Sequence, residues 1–249
     1  NRPALEFSLT RLRLTSSPAK QLLALRLFQI SLGDVGPRQG LPQVFESYEP
    51  RQPLPEDLKD EAWEVLQYGL ASPNLAVRRE TIRCLAICKL VHSQVSQRLL
   101  QQIHPDSPAP FDIHVLAALA QVKASPLLDS AAARAELATK VLQVQAKIDR
   151  QGMNQDRNWE PRFKEIVRQL VQRDEGLLEQ IVKAGVTRPG QAFLFGFMDR
   201  QQKRDSIDRY LRALAKNPEF QMDTSTLRLL ASTSTPEHWK RIRQSFTAP

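Results

Sequence analysis

The sequence predicts an all-α protein and, within that class, an irregular α-solenoid of stacked antiparallel helix pairs. Only 9 of its 249 residues are glycine, and the apolar stretches are dense in Leu, Ala, Gln, Arg and Glu, which lose little side-chain freedom in a helix. Apolar residues recur at helical spacing in segment after segment. Because a lone helical hairpin leaves an apolar side uncovered, stacking on the next hairpin explains this spacing. A compact helical bundle is the alternative arrangement.

The first predicted element is a helical hairpin formed by residues 4–14 and 17–33. Ser17-Pro18 is typical of a helix start, since proline needs no amide partner at the first helical position. Gly33 is a typical stop. The two segments are therefore expected to pair.

A long connection is predicted between residues 34 and 55. Five prolines fall in it, and each excludes the interior of a helix. Phe45 and Tyr48 lie inside this segment, so we expect it to fold back against the helices.

The strongest helix signal lies at residues 73–91. Ser72 can accept a hydrogen bond from a first-turn amide, and Pro73 fits the first helical position. From Val77 to Leu90 apolar residues recur at steps of three to five. This pattern predicts a helix with one broad buried side.

The other helices are expected at short intervals, with Asp205 interpreted as the start of one of them. The polar segment 151–158 could divide the single helical domain 1–249 into sub-blocks 1–150 and 159–249. The predicted helices are 58–71, 93–103, 110–122, 130–150, 160–172, 174–183, 189–201, 205–216, 223–231 and 236–246.

The composition is that of a soluble globular protein with a basic surface. The formal net charge is +8 and the sequence pI is about 9.8, which favours anionic partners such as nucleic acid, lipid head groups or an acidic protein face. The basic excess lies at the two ends of the chain. The longest uncharged apolar run, 113–122, is far shorter than the roughly 20 residues that a transmembrane helix requires. No transmembrane segment is expected.

Two resemblances bear on the fold. Val77-Arg78-Arg79 followed by Cys84-Leu85-Ala86 is similar to the second helix of HEAT repeats, where an exposed Val-Arg pair precedes small apolar residues. Segments 22–34, 43–48 and 111–114 more loosely resemble the helical middle region of large bacterial proteins that join a β-propeller, HEAT-like helices and a c-type cytochrome domain. The second resemblance implies an exported, periplasmic protein in which this piece is a spacer or docking platform. A cytoplasmic protein is expected otherwise.

Cys84, Cys88 and His92 are the residues most like a metal site. Their spacing of four would align two thiolates and an imidazole along one side of a helix, as ligands for a soft metal. No fourth ligand is evident nearby, and buried free cysteines are common. We therefore favour a packing role and predict no cofactor. The haem signature Cys-x-x-Cys-His is missing from the chain, so redox chemistry would lie outside these residues.

No pattern points to catalysis. His104, His114 and His238 are scattered, and His114 is interpreted as a packed or capping residue. The sequence has no nucleophile elbow, phosphate loop or dinucleotide fingerprint. One group of carboxylates is better explained by the positive end of a helix dipole: Asp57, Asp60, Glu61 and Glu64. The protein is predicted not to be an enzyme.

One basic stripe is the candidate site for an anion or a partner. Its members step along a predicted helix opposite Ile207, Tyr210, Leu211 and Leu214, or immediately precede that helix. On a helix such a run is usually a solvated face, and Asp205 and Asp208 dilute it. The stripe consists of Arg200, Lys203, Arg204, Arg209, Arg212 and Lys216.

The leading hypothesis is a non-catalytic scaffold that binds a protein partner or neighbouring domains of a longer chain. One alternative is a helical-repeat nucleic-acid binder that uses the basic stripe. The other is an accessory domain of an exported c-type cytochrome or dehydrogenase-like redox protein.

Overall fold

All regular elements are helical in the part of the chain that the structure describes, and no strand occurs there. The structure is a computed structural model, and it describes residues 1–33, 53–88, 90, 93–122, 128–150, 159–216 and 224–247. The all-α prediction is confirmed for those residues. Phe45, Tyr48, His92 and the polar segment 151–158 lie outside them.

The regular elements of the described residues are twelve α-helices and two 3₁₀ segments. The 3₁₀ segments are Glu56–Leu58 and Pro189–Phe197. The helices are α1 Arg2–Leu14, α2 Pro18–Ser31, α3 Lys59–Leu70, α4 Leu75–Cys88, α5 Ser93–Leu100, α6 Ala109–Gln121, α7 Ala131–Arg150, α8 Trp159–Arg173, α9 Glu175–Ala184, α10 Arg200–Leu214, α11 Thr224–Thr233 and α12 Pro236–Thr247.

Contacts between Cα atoms divide the chain into two units, Asn1–Asp129 and Ser130–Pro249. The division falls before α7, and α7 packs against α8 and α9 of the second unit. A single domain with sub-blocks 1–150 and 159–249 stays a prediction from the polar composition of 151–158.

Helices of the first unit contact one another in a regular order. Each even-numbered helix packs against the odd-numbered one before it, in the pairs α1 with α2, α3 with α4 and α5 with α6. Contacts also run from α1 to α3, from α2 to α4 and from α4 to α6. Three successive helix pairs are thereby joined, with α4 in contact with both α2 and α6.

Two helices of this unit are buried on every side over long stretches. All residues of 81–88 in α4 and of 111–120 in α6 are buried. Polar groups are enclosed along with the apolar ones, among them Arg83, Asp112 and His114. Since a buried polar group needs a partner, these two helices must satisfy their polar side chains inside the unit.

A glycine sets the distance between α3 and α4. A Cβ atom added at Gly69 would lie 2.2 Å from Thr81 Oγ1. The Thr81 hydroxyl is fixed in turn because it donates to the backbone oxygen of Val77 at 2.8 Å. The two helices therefore approach more closely here than a side chain at position 69 would allow.

The helix that gave the strongest signal begins two residues later than predicted. Asn74, and not Ser72, caps α4, since its Oδ1 accepts hydrogen bonds from the amides of Ala76 at 3.0 Å and Val77 at 3.2 Å. Ser72 Oγ accepts instead from the amide of Asn74 at 3.3 Å. The predicted start at Ser72-Pro73 is thus wrong, because Asn74 competes successfully for the cap. The predicted stop of α2 is confirmed, with Gly33 at a φ of 82°.

Amphipathic helices build the second unit around an irregular apolar segment. α7 packs against α8, α9 and the 3₁₀ segment, α11 packs against the same segment, and α10 packs against α11 and α12. In α8 the buried residues Phe163, Ile166, Val167 and Leu170 keep helical spacing. The predicted helix 189–201 is a 3₁₀ segment that ends at Phe197.

The start of α10 also differs from the prediction. Asp199 caps it, accepting from the amide of Gln202 at 2.8 Å while the Gln202 side chain accepts from the amide of Asp199 at 3.0 Å. Asp205 therefore lies inside the helix and does not mark its start. Because of this reciprocal cap, the residues from Arg200 to Leu214 form one continuous helix.

None of the helices in the described residues has the length and apolar character needed to cross a bilayer.

Candidate functional site

The predicted basic stripe maps onto a single helix and its C-terminal extension. Arg200, Lys203 and Arg204 lie on the first turns of α10, and Arg209 and Arg212 lie on its last turns. Lys216 follows directly after the C-terminal cap residue Ala215.

The cations do not share one face of α10. Successive helical residues are about 100° apart, so Arg200 and Arg209 lie about 180° apart around the axis. Lys203 precedes the buried Ile207 by about one turn and is itself half-buried, whereas Arg204 is exposed. The structure therefore spreads the stripe around the helix.

Arg209 is committed to the neighbouring helix. Its Nη1 atom donates to the backbone oxygens of Val182 at 2.8 Å and Lys183 at 3.3 Å, at the C-terminal end of α9. Gly185 ends that helix with a φ of 88°. A cation beside the last carbonyls satisfies unpaired acceptors and opposes the negative end of the helix dipole. Arg209 thus has a structural role.

Asp208 offsets part of the basic charge between α10 and α12. Arg241 donates from Nη1 to Asp208 Oδ1, and His238 Nε2 lies 3.6 Å from the same oxygen. Arg212 donates from Nε to the backbone oxygen of Asp208 at 3.2 Å. By contrast, Arg200, Arg204 and Lys216 are exposed and form no ion pair within the described part of the chain. These last three are the exposed cations of the stripe whose charged groups contact no carboxylate or carbonyl within the described residues, whereas Lys203 is half-buried and Arg209 and Arg212 bind backbone oxygens.

A groove in the first unit was not anticipated. It lies between α3 and α5 and has a volume of about 590 Å³. Most of its lining residues carry polar side chains, and Tyr68 is 64 % exposed. We refer to it as the α3–α5 groove, and it is lined by Glu64, Gln67, Tyr68, Leu70, Ala71, Arg98, Gln101 and Gln102.

Charges of opposite sign lie in the α3–α5 groove. Glu64, on α3, is 3.5 Å from Arg13 Nη2, and Arg98, on α5, donates to Gln101 Oε1 at 3.4 Å. The sequence held one signal for this surface, because Tyr68 falls between the buried positions of α3 and places an aromatic ring among polar residues. Aromatic rings with a polar tip are typical of contact surfaces.

A smaller cavity in the second unit, of about 270 Å³, holds an ion pair above an aromatic ring. Lys164 Nζ lies 2.6 Å from Glu160 Oε1 and 5.6 Å from the centroid of the Phe193 ring. Gly190 lines the same cavity. The ammonium is therefore held from two sides by α8 and the 3₁₀ segment.

Asp149 packs against Gly190 beside this cavity. A Cβ atom at Gly190 would lie 2.1 Å from Asp149 Oδ1. Burial raises the pKa of Asp149, a hydrogen bond from Gln145 Nε2 at 2.8 Å opposes that shift, and the charge of Glu160 adds to it. Oδ2 of Asp149 is buried without a hydrogen-bond partner among the described residues. This carboxyl holds its proton more readily than an exposed one.

The two cysteines are buried and free of a disulfide, in agreement with the packing role. The Cys84 thiol donates to the backbone oxygen of Leu25 at 3.7 Å and accepts from Gln29 Nε2 at 3.5 Å. Burial raises the pKa of the Cys88 thiol well above its usual value. His92, the third member of the predicted metal set, lies outside the described residues, within which no group of three metal-binding side chains is brought together.

His114 is a packed residue, as predicted. Its Nε2 donates to the backbone oxygen of Arg79 at 3.1 Å, and burial lowers its pKa to about 4. It joins α6 to α4 as a neutral imidazole.

The predicted carboxylate group stays at the start of α3. Asp57 binds Arg2 at 2.6 Å, and Asp60 and Glu61 lie in the first helical turn. Their placement fits the interpretation that they offset the helix dipole.

Comparison with protein-family models, curated proteins and solved structures finds no match to this chain. The geometry alone therefore bears on its function.

Proposed function

We propose that this protein is a non-catalytic helical-repeat scaffold, a HEAT-like solenoid that mediates contacts between proteins or between domains. The observation that carries the proposal is the order of helix contacts in the first unit. Three helix pairs follow one another, and contacts between equivalent members link α1 to α3, α2 to α4 and α4 to α6. Helix pairs that each contact the next pair along the chain are typical of stacked repeats.

The α3–α5 groove supports the same proposal. It lies between two helices that precede α4 and α6 in their pairs, while α4 and α6 are buried over most of their length. A stack of helix pairs buries the contacts between neighbouring helices and presents its remaining surface for binding. Tyr68 is suited to the centre of such a contact because it adds apolar area with little loss of side-chain freedom.

Site-specific photo-cross-linking in cells tests the scaffold proposal. A benzophenone amino acid replaces Tyr68 in one variant and Leu75 in the control, since Leu75 is also exposed and lies outside the groove. We expect a discrete cross-linked product from position 68 that is lost when Arg98→Glu is added. Equal cross-linking yields from positions 68 and 75 would contradict a docking role for the groove. A yield from position 68 that Arg98→Glu leaves unchanged would contradict it as well.

Nucleic-acid binding is the second candidate, and the exposure of Arg200, Arg204 and Lys216 favours it. Cations without intramolecular partners are free to replace counterions on a phosphate backbone. Fluorescence anisotropy with labelled single-stranded RNA and duplex DNA at two salt concentrations measures this.

A variant that changes these three cations to Gln should bind about tenfold more weakly. The slope of log K against log salt concentration should become shallower by about three, because about three phosphate contacts are lost. The matched control changes three cations that already form ion pairs: Arg2, Lys59 and Arg168. If both variants weaken binding equally, attraction is due to net charge and the stripe has no role as a site.

A further inference from the structure

The first hairpin exposes large apolar side chains at regular positions. The exposed fractions are 50 % for Phe7 and 74 % for Leu14 on α1, and 72 % for Leu23 and 55 % for Ile30 on α2. Among the large hydrophobic residues that are exposed in the described chain, only Tyr68 and Leu75 lie on other helices. We call these four residues the N-terminal apolar stripes.

Each stripe repeats after seven residues, and two turns of a helix place such residues on one side about 10 Å apart. On α1 the stripe lies opposite the buried Leu5, Leu9 and Leu12, and on α2 it lies opposite the buried Leu25 and Phe28. Both helices therefore bury one side within the first unit and display apolar residues on the other.

Two sides of α2 carry apolar residues. One side packs against α1 and α4, and the other displays Leu23 and Ile30. Apolar residues seven apart match one of the two apolar positions of the heptad by which helices pack along one another. The stripes thus fit a helix as their occupant.

Charge restricts which helix can dock. The acidic residue of the hairpin, Glu6, is bound to Arg2 at 2.7 Å, and α2 contains no acidic residue. Arg11 lies over the Phe7 ring at 5.0 Å from its centroid, so a cation borders the α1 stripe directly. The basic residues of the two helices are Arg2, Arg11, Arg13, Lys20 and Arg26. Arg2 also binds Asp57 and Arg13 lies 3.5 Å from Glu64, whereas Arg11, Lys20 and Arg26 have no carboxylate partner among the described residues.

A second copy of this hairpin would bring like charges together, whereas an acidic helix would be attracted. We propose that the N-terminal apolar stripes dock an acidic amphipathic helix of a partner protein, with apolar residues repeating every seven positions. This inference deepens the proposed scaffold function and rests on it.

Binding of designed peptides tests the docking surface. The probe is a fluorescently labelled helical peptide with Leu at the heptad a and d positions and Glu and Ala elsewhere, and its counterpart has Lys in place of Glu. We expect fluorescence anisotropy to show saturable binding of the acidic peptide and at least tenfold weaker binding of the basic one.

The double variant Leu23→Gln/Ile30→Gln should reduce affinity for the acidic peptide by about tenfold or more, because two apolar anchors are lost. The matched control is Tyr68→Gln/Leu75→Gln, which changes the exposed apolar residues outside the stripes and should bind as the unchanged protein does. All four positions are exposed, and circular dichroism confirms that each variant keeps its helices.

Several outcomes would overturn the inference: no binding of the acidic peptide, equal binding of the basic peptide, or equal affinity of the stripe variant and the control. Sedimentation velocity adds one more, since a dimer that Leu23→Gln/Ile30→Gln disrupts would make a second copy the occupant. Cross-linking from Tyr68 reports on the scaffold function separately. If it persists while the peptide fails to bind, the docking inference fails and the scaffold proposal stands.

Discussion

The two units of the chain differ in how their helices are buried. In the first, α4 and α6 are buried on all sides over 81–88 and 111–120. In the second, α8 and α10 keep one buried side, and the most apolar segment is the 3₁₀ stretch Pro189–Phe197. The first unit therefore has interior helices, while the second has amphipathic helices around an irregular core segment.

This difference shows where each unit is sensitive to change. An interior helix encloses its polar groups, so His114 is neutral and its pKa is about 4. In the second unit Asp149, near the end of α7, is half-buried and its pKa is raised. We therefore expect the stability of the two units to change in opposite directions with pH and by different amounts on core substitution.

The largest expected effect is on the interior helices. Leu116→Ala on α6 removes a fully buried side chain and should lower the free energy of unfolding of the first unit by about 2 to 5 kcal/mol. Urea denaturation followed through Trp63 reports on the first unit, whereas Trp159 and Trp239 report on the second.

The control for this substitution is Leu75→Ala, which changes an exposed leucine of α4 and should cost less than about 0.5 kcal/mol. A shift of the Trp159 and Trp239 transition as large as that of Trp63 would show that the two units unfold together.

Acidification should affect the two units with opposite sign. His114 binds a proton in the unfolded chain below its ordinary pKa of 6.5 but in the folded protein only near 4, so the first unit loses stability as the pH falls through that range. The loss is about 3 kcal/mol and should disappear in His114→Gln.

For Asp149 the sign reverses. Its pKa is raised from 3.8 in the folded protein, so protonation favours the folded state and the contribution of this carboxyl is lost as the pH rises. Asp149→Asn should remove that dependence. Denaturation curves at several pH values measure both effects, and a common slope for the two units would argue against the assignment.

A third effect tests the close approach of α3 and α4. Gly69→Ala places a Cβ atom 2.2 Å from Thr81 Oγ1 and should cost about 1 to 3 kcal/mol, although Ala is usually the better helix former. Thr81→Ala in the same chain should recover part of the loss. Thermal denaturation compares these variants with Gly196→Ala, where no heavy atom lies within 4 Å of the new Cβ.

The smallest effect concerns Arg209 at the end of α9. Arg209→Gln removes the cation from the carbonyls of Val182 and Lys183 and should cost about 0.5 to 1 kcal/mol. Arg204→Gln is the control, because Arg204 is exposed and forms no ion pair in the described residues. Equal stabilities of the two variants in urea would contradict the structural role of Arg209.

Helix positions were well predicted where the apolar spacing was regular. The buried set Ser206, Ile207, Tyr210, Leu211 and Leu214 lies on one side of α10, as its periodicity indicates. Helix starts were predicted less accurately, because neighbouring polar residues compete for the same first-turn amides. Asn74 prevailed over Ser72, and Asp199 extended α10 back from Asp205.

The candidate sites show the limit of sequence patterns more clearly. The members of the basic stripe could be predicted from the sequence, because they are charged residues at helical spacing. The hydrogen bonds of Arg209 to the end of α9 could not, because they depend on which helix lies beside α10. The α3–α5 groove depends on the separation of two helices that are about thirty residues apart in the chain. Neither contact produces a pattern among neighbouring residues of the sequence.

The amino-acid sequence by itself determined that the chain is helical, where most helices lie and which side of each is apolar, because these properties depend on neighbours within a few turns. Only the tertiary structure decided which helices become interior, which cations keep a free charge and where apolar residues stay uncovered. Those outcomes arise from contacts between segments distant in sequence, and burial, charge pairing and close approach exist only once such segments meet.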